Sequence, residues 1–215
     1  MRRPLLLLLL MLPLAGCPAF YVQEGAIVRP ATTLDEPTSL PAPDVDAALA
    51  THWQREAQLG LGGSGTATLL DPGLVAAQVA HQAADESLSP AAAQSLLDER
   101  WTDLFGQGRD RFAIDLAWRF DTQFYATHDV LDPDTWSFAL ETSSGQRLAP
   151  LEVTPLAADT VPREHFWTGT VQLSFPWHDA DGNRVLGGAT KWIRLVLTRS
   201  TGSGRFEWRF RGPYG

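Results

Sequence analysis

Few residues in this chain have the type and spacing for covalent or acid–base chemistry. The single cysteine, Cys17, follows Leu14-Ala15-Gly16 and an apolar run from Leu5 to Leu12. Its thiolate is a good nucleophile for alkylation. One cysteine excludes an internal disulfide and a Cys-rich zinc site. The histidines, His52, His81, His128, His165 and His178, form no close pair and no H-E-x-x-H motif. Ser64 and Ser203 lie in Gly-rich stretches that lack the G-x-S-x-G spacing of a nucleophile elbow. Gly62-Gly63-Ser64-Gly65 is not a phosphate loop, because no Lys-Ser/Thr follows it. Carboxylates for glycoside hydrolysis would have to come from Asp98 and Glu99 or from Asp115 and Glu141. Nothing in their spacing brings either pair across a cleft. No enzymatic activity is expected, with a hydrolase kept as the last alternative.

The start of the chain is an export address. Arg2 and Arg3 precede the apolar run, which is too short for a membrane-spanning helix of about 20 residues. Leu14-Ala15-Gly16-Cys17 resembles the lipobox of bacterial lipoproteins at every position. The resemblance implies a diacylglyceryl group on the Cys17 sulfur, cleavage just before Cys17 by signal peptidase II, and acylation of the new amino terminus. Residues 1–16 are then the signal peptide. Pro18, where an inner-membrane protein of that family often has Asp, favours the outer membrane of a Gram-negative bacterium.

One stretch resembles part of an EF-hand calcium loop. Asp179, Asp181 and Asn183 alternate around Gly182, but the closing bidentate Glu is missing. Asp181-Gly182 is also a favoured hairpin dipeptide, so a turn and a partial calcium site both stand as readings. Asp129, Asp132 and Asp134 form a second acidic cluster, in a segment whose Asp and Pro suit a loop. No other cofactor is expected.

Composition narrows the partners. The 215 residues are 44% hydrophobic and 20% charged, a balance that suits a folded domain rather than a disordered chain. The net charge is −8. Removing residues 1–16 takes away Arg2 and Arg3 and no acid, leaving 15 basic and 25 acidic residues and a charge of −10. Such a chain is unsuited to nucleic acid, and a lipid rather than a basic patch must hold it at an anionic membrane.

Residues 17–50 read as a tether, interrupted by Pro18, Pro30, Pro37, Pro41 and Pro43 and charged by Asp35, Glu36, Asp44 and Asp46. The alternative is that Phe20-Tyr21-Val22 or Ala26-Ile27-Val28 adds a strand to the domain. Residues 51–211 read as that domain. Ala57, Leu59 and Leu61 alternate, the Gly cluster breaks the pattern, and Thr66, Thr68 and Leu70 resume it, which predicts two strands or one bulged strand. A helical insert follows at about 72–105. Asp71-Pro72 and Ser89-Pro90 are start signals, Ala93, Leu97, Trp101 and Leu104 recur at helical spacing, and Gly106 is a stop.

From Arg111 the period changes to two. Phe112, Ile114, Leu116, Trp118 and Phe120 share one face, and four later runs repeat the alternation. These are Trp136 to Leu140, Val171 to Trp177, Ile193 to Leu197 and Phe206 to Phe210. The pattern predicts a mainly β, Ig-like antiparallel sandwich of seven or eight strands with a two-helix insertion. The order of parts, with Trp136 after the polar loop Asp132-Pro133-Asp134-Thr135, resembles that of uncharacterised Gram-negative envelope lipoproteins. That resemblance brings no activity with it. Trp118, Trp136, Trp177 and Trp208 are in phase with the core, whereas Trp192 is out of register with Ile193 and Leu195 and is the candidate exposed aromatic. Arg194, Arg205, Arg209 and Arg211 suggest a basic stripe or a face of cross-strand ion pairs.

The sequence points to a lipid-anchored envelope protein whose sandwich scaffolds or binds a partner protein. The alternative is a module for envelope polysaccharide or a small ligand. Cys17→Ser should leave the precursor uncut and free of radiolabelled fatty acid. Fatty acid still incorporated by that variant would remove the anchor.

Overall fold

The computed structural model describes residues 26–27, 53–187 and 189–210. The expected signal peptide, Cys17, most of the expected tether and Arg211 lie outside the described residues.

Two five-stranded sheets form a β-sandwich with a two-helix insertion. In chain order the strands are β1 (Ala26–Ile27), β2 (Gln54–Gln58), β3 (Gly63–Leu69), β4 (Arg111–Asp121), β5 (Ser137–Thr142), β6 (Arg147–Leu148), β7 (Glu152–Ala158), β8 (Phe166–Pro176), β9 (Trp192–Arg199) and β10 (Gly202–Phe210). The first sheet runs β1-β10-β9-β5-β6 and the second β2-β3-β4-β8-β7. All pairings are antiparallel except β1 on β10, where Ala26 is opposite Arg209 and Ile27 opposite Phe210. The chain therefore meets the domain at Ala26, well before residue 51.

The alternating runs bury as their period requires. Phe112, Ile114, Leu116, Trp118 and Phe120 of β4 are all buried, as are Val171, Leu173 and Phe175 of β8 and Phe206 and Trp208 of β10. Their rings form a layer between the sheets. Trp118 lies within 5.6 Å of Trp136, 6.0 Å of Phe120 and 6.3 Å of Phe138, centroid to centroid. Such tilted aromatic pairs add to the area they bury.

Strand β3 departs from the expected phase. Its inward residues are Gly63, Gly65, Ala67 and Leu69, whereas Thr66 and Thr68 face outward. The turn is Gly60-Leu61-Gly62, with φ of +95° and +70° at its two glycines. Gly63 and Gly65 are strand residues whose missing side chains admit the rings. A Cβ on Gly63 would sit 2.7 Å from the Phe120 ring, and one on Gly65 would sit 2.9 Å from Leu59 and 3.1 Å from Phe206. Gly65, Trp118 and Gly169 are direct cross-strand neighbours, and a Cβ on Gly169 would come within 2.7 Å of the Trp118 indole nitrogen.

Strands β6 and β7 carry no alternation that sequence could show. The first has two residues, and the second is exposed along most of its length with a bulge between Pro155 and Ala157. Pro155 and the bulge suit β7 to the open edge it occupies.

The insertion is α1 (Pro72–Asp85) and α2 (Pro90–Phe105). Each starts as its sequence dictates. The Asp71 carboxylate accepts from the Gly73 N–H at 2.8 Å, the Ser89 hydroxyl accepts from the Ala92 N–H at 3.2 Å, and a proline follows each cap. Gly106 at φ +75° ends α2. Leu74, Val75, Val79, Leu97, Trp101 and Leu104 join the same continuous core as the sheets, so the pair is not a separate lobe. It is held to β4 by Arg111, which donates to the Asp103 carbonyl at 2.9 Å.

Overpacking a filled core costs about 1–3 kcal/mol. Gly63→Val should lower unfolding free energy by about that amount in urea melts. Thr66→Val on the outward face of the same strand should change it by less than about 0.5 kcal/mol. Equal effects would mean that β3 faces the other way.

Candidate functional site

The outward face of the second sheet bears a half-open groove of 1810 Å³. Strand register builds its floor. One row is Gln58, Ser64, Arg119 and Thr168, and the next is Glu56, Thr66, Ala117, Thr170 and Ala157. From β2 to β7 the sheet is about 19 Å wide at the usual strand spacing. The groove continues past β2 to Ser203, Arg205, Glu207 and Arg194 on the first sheet.

That continuation exists because β2 is fastened to β10. Arg55 is buried and donates from Nε to the Glu207 carbonyl at 3.0 Å. The Trp208 indole donates to the Trp53 carbonyl at 2.7 Å. Burial pulls the Arg55 pKa below its ordinary value.

The groove carries several charged side chains on a mainly apolar lining, and many of those charges are already engaged. Arg194 donates to Glu207 Oε2 through Nε at 2.9 Å and Nη2 at 2.5 Å, and Arg209 donates to Oε1 at 2.6 Å. Arg194 also reaches Glu141 at 3.4 Å. Burial pushes the Glu207 pKa up, but the hydrogen bonds and charges of Arg194 and Arg209 outweigh it and hold the carboxyl below its usual range. Thr168 donates to Asp159, which also pairs with Arg163 at 3.4 Å. Two arginines differ. Arg119 stacks on Phe166, its guanidinium carbon 3.4 Å from the ring centroid, and makes no ion pair among the described residues. Arg205 is exposed and likewise makes none among the described residues.

Of the residues singled out by sequence, Arg194, Arg205, Ser64 and Ser203 line the groove, and the metal and aromatic candidates lie elsewhere. Asp179 closes a tight turn. Its Oδ1 accepts from the Asp181 and Asn183 N–H groups, both at 2.8 Å, and its Oδ2 accepts from the Asn183 and Gln146 side chains. The Gln146 hydrogen bond is the main reason its pKa is lowered. Gly182 takes φ +79°, and the His178–Arg184 bridge completes a small hairpin. Asp179, Asp181 and Asn183 are therefore joined by turn hydrogen bonds, and no group of three His, Cys, Asp or Glu with metal-holding geometry occurs among the described residues. Asp129 accepts from Thr127 and pairs with Arg199 at 3.3 Å, while Asp132 caps Asp134 at 3.0 Å. Trp192 is half-buried beneath Arg194, whose guanidinium carbon is 4.9 Å from the ring centroid, so it is not a bare platform. Of the Arg stripe, Arg194 and Arg209 belong to the cross-strand network around Glu207.

The carboxylate pairs are also separated. Asp98 and Glu99 are on α2, Asp115 is on the second sheet and Glu141 on the first. Burial raises the Asp115 pKa against the opposing effects of Gln172 and Arg100. Within the groove, Glu56 and Asp159 sit on opposite sides, about 19 Å apart in strand spacings, against roughly 5–9.5 Å for glycosidase pairs. Glu207 is kept ionised and doubly paired, so it lacks the proton a general acid must give.

Sequence reasoning missed the groove because it read Thr66 and Thr68 in phase with Leu70, whereas Gly63, Gly65, Ala67 and Leu69 are the buried positions. The size of the residues beside Thr66 was the available signal, since glycines at 63 and 65 admit rings and threonines do not.

No family model matches this chain, and no curated protein matches it. One solved structure does, described as a novel protein of unknown function from Burkholderia pseudomallei K96243. It shares 11% identity at a TM-score of 0.42, with 78% of this chain and 89% of that chain covered.

Glu207→Gln should lower unfolding free energy by about 1.5–3 kcal/mol at pH 7, the usual worth of a charge-assisted hydrogen bond. The folded carboxyl titrates below its unfolded value, so its contribution is full above about pH 4.3 and is lost as pH falls through the folded pKa. The gap between variant and parent should close at acid pH. A gap independent of pH would contradict the ionic account.

Proposed function

We propose that this chain is a lipid-anchored lipoprotein of the Gram-negative envelope, most consistent with the outer membrane, whose sandwich domain binds or scaffolds a partner. The anchor rests on Leu14-Ala15-Gly16-Cys17. Two acyl chains supply a stable hold where one is marginal. No helix among the described residues is long and apolar enough to cross a membrane.

The groove carries the binding half of the reading. Concave surfaces with a few fixed polar groups are where ligands settle. This one is held rigid by paired strands beneath it and by the β2–β10 fastening at its side. The ion pairs inside it are set before any ligand arrives, which suits recognition. A partner protein is the first reading. The hydroxyl-rich floor favours the second, an envelope polysaccharide. A photo-crosslinking residue in place of Thr66 tests the shared claim. It should capture a partner in intact cells, whereas the same residue at Thr198, outside the groove on the first sheet, should not. Equal capture at both positions, or none at either, would remove the groove as the binding surface.

A further inference from the structure

We propose that the groove on the second sheet holds an acidic polysaccharide, a sugar chain bearing carboxylates, with Arg119 and Arg205 as its two anchors. The proposal rests on the groove being the binding surface and names its ligand.

Charge is the first argument. The chain carries −8 overall, yet Arg119 and Arg205 line one groove and neither has an acidic partner among the described residues. Strands β3 and β2 lie between them. Arg119 is also pre-oriented. Stacking on Phe166 holds the guanidinium flat, so its N–H donors are presented with less rotamer freedom to lose. A planar guanidinium matches a carboxylate through two parallel hydrogen bonds.

The floor is the second argument. Between the arginines lie Ser64 and Thr66 of β3 and Gln58 and Glu56 of β2, with Ala117, Thr168 and Thr170 beyond, a surface of hydroxyls and methyls that carries one carboxylate. Hydroxyls both donate and accept, as sugar hydroxyls do. A peptide finds less here. The centre of the floor belongs to strands β3, β4 and β8, which are paired on both sides, so strand addition is confined to the rims at β2 and β7.

The test uses the mature full-length chain in detergent, titrated calorimetrically with oligogalacturonate, a neutral malto-oligosaccharide and a poly-glutamate peptide. Oligogalacturonate should bind, and more weakly as salt screens the arginines. Arg119→Gln and Arg205→Gln should each weaken binding about tenfold or more. Thr170→Trp, which fills the floor from its outward side, should abolish it. Unchanged urea melts show that the variants fold. Tight binding of the neutral chain, or indifference to both arginines, overturns the proposal. Binding of poly-glutamate as tightly as oligogalacturonate, with the same arginine dependence, overturns the sugar assignment and leaves the groove as a peptide site. If no probe binds, the proposal fails, and crosslinking at Thr66 then shows whether the groove itself fails with it.

Discussion

Close packing of a ring layer against glycines is the constraint on which this structure depends. Trp118, Phe120, Trp136, Phe138, Phe206 and Trp208 all lie in the core between the two sheets. Sheets stack about 10 Å apart, and rings of this size fit that gap only if some facing positions are empty. Gly63, Gly65 and Gly169 supply the space, each so placed that a single added carbon would meet a side chain within 3.0 Å. The strands carrying them cannot shift register by one residue. Such a slip would turn Thr66 and Thr68 inward against the rings.

The outer face follows from the inner one. Because β3 keeps its smallest residues inside, its hydroxyls are outside, beside Ala117 and the threonines of β8. The groove floor is therefore low and made of small side chains, hydroxyls among methyls. The fastening of β2 to β10 through Arg55 and Trp208 carries the surface across from one sheet to the other and brings Arg205 to its end. The helices share the core through Leu74, Leu97 and Trp101, and Arg111 ties α2 to the first residue of β4. The same packing thus sets the fold, the rigidity of the floor and the places of the two arginines that make no ion pair among the described residues.

Much of this was legible in the sequence. Local chemistry marked the helix ends, since Asp71-Pro72, Ser89-Pro90 and Gly106 act within one turn. Long alternating runs marked β4, β8, β9 and β10, because one buried face imposes a period of two. Strand β7 was not legible, because an edge strand exposed on most positions has no burial pattern to write into its sequence. The phase of β3 was misread because threonine is a strand former whichever way it points, whereas glycine reads as a break. The groove was hidden for a different reason. Its residues come from seven strands and meet only through cross-strand register and the packing of β2 on β10.

The proposed function places a binding face on a lipid carried by Cys17. The intact mass of the mature N-terminal peptide, taken from a detergent-extracted membrane fraction, tests that most directly. A peptide that begins at Cys17 and carries the mass of a diacylglyceryl group and an N-acyl chain is the predicted result. An unmodified peptide beginning at another residue would contradict it and leave the groove on a protein without an anchor.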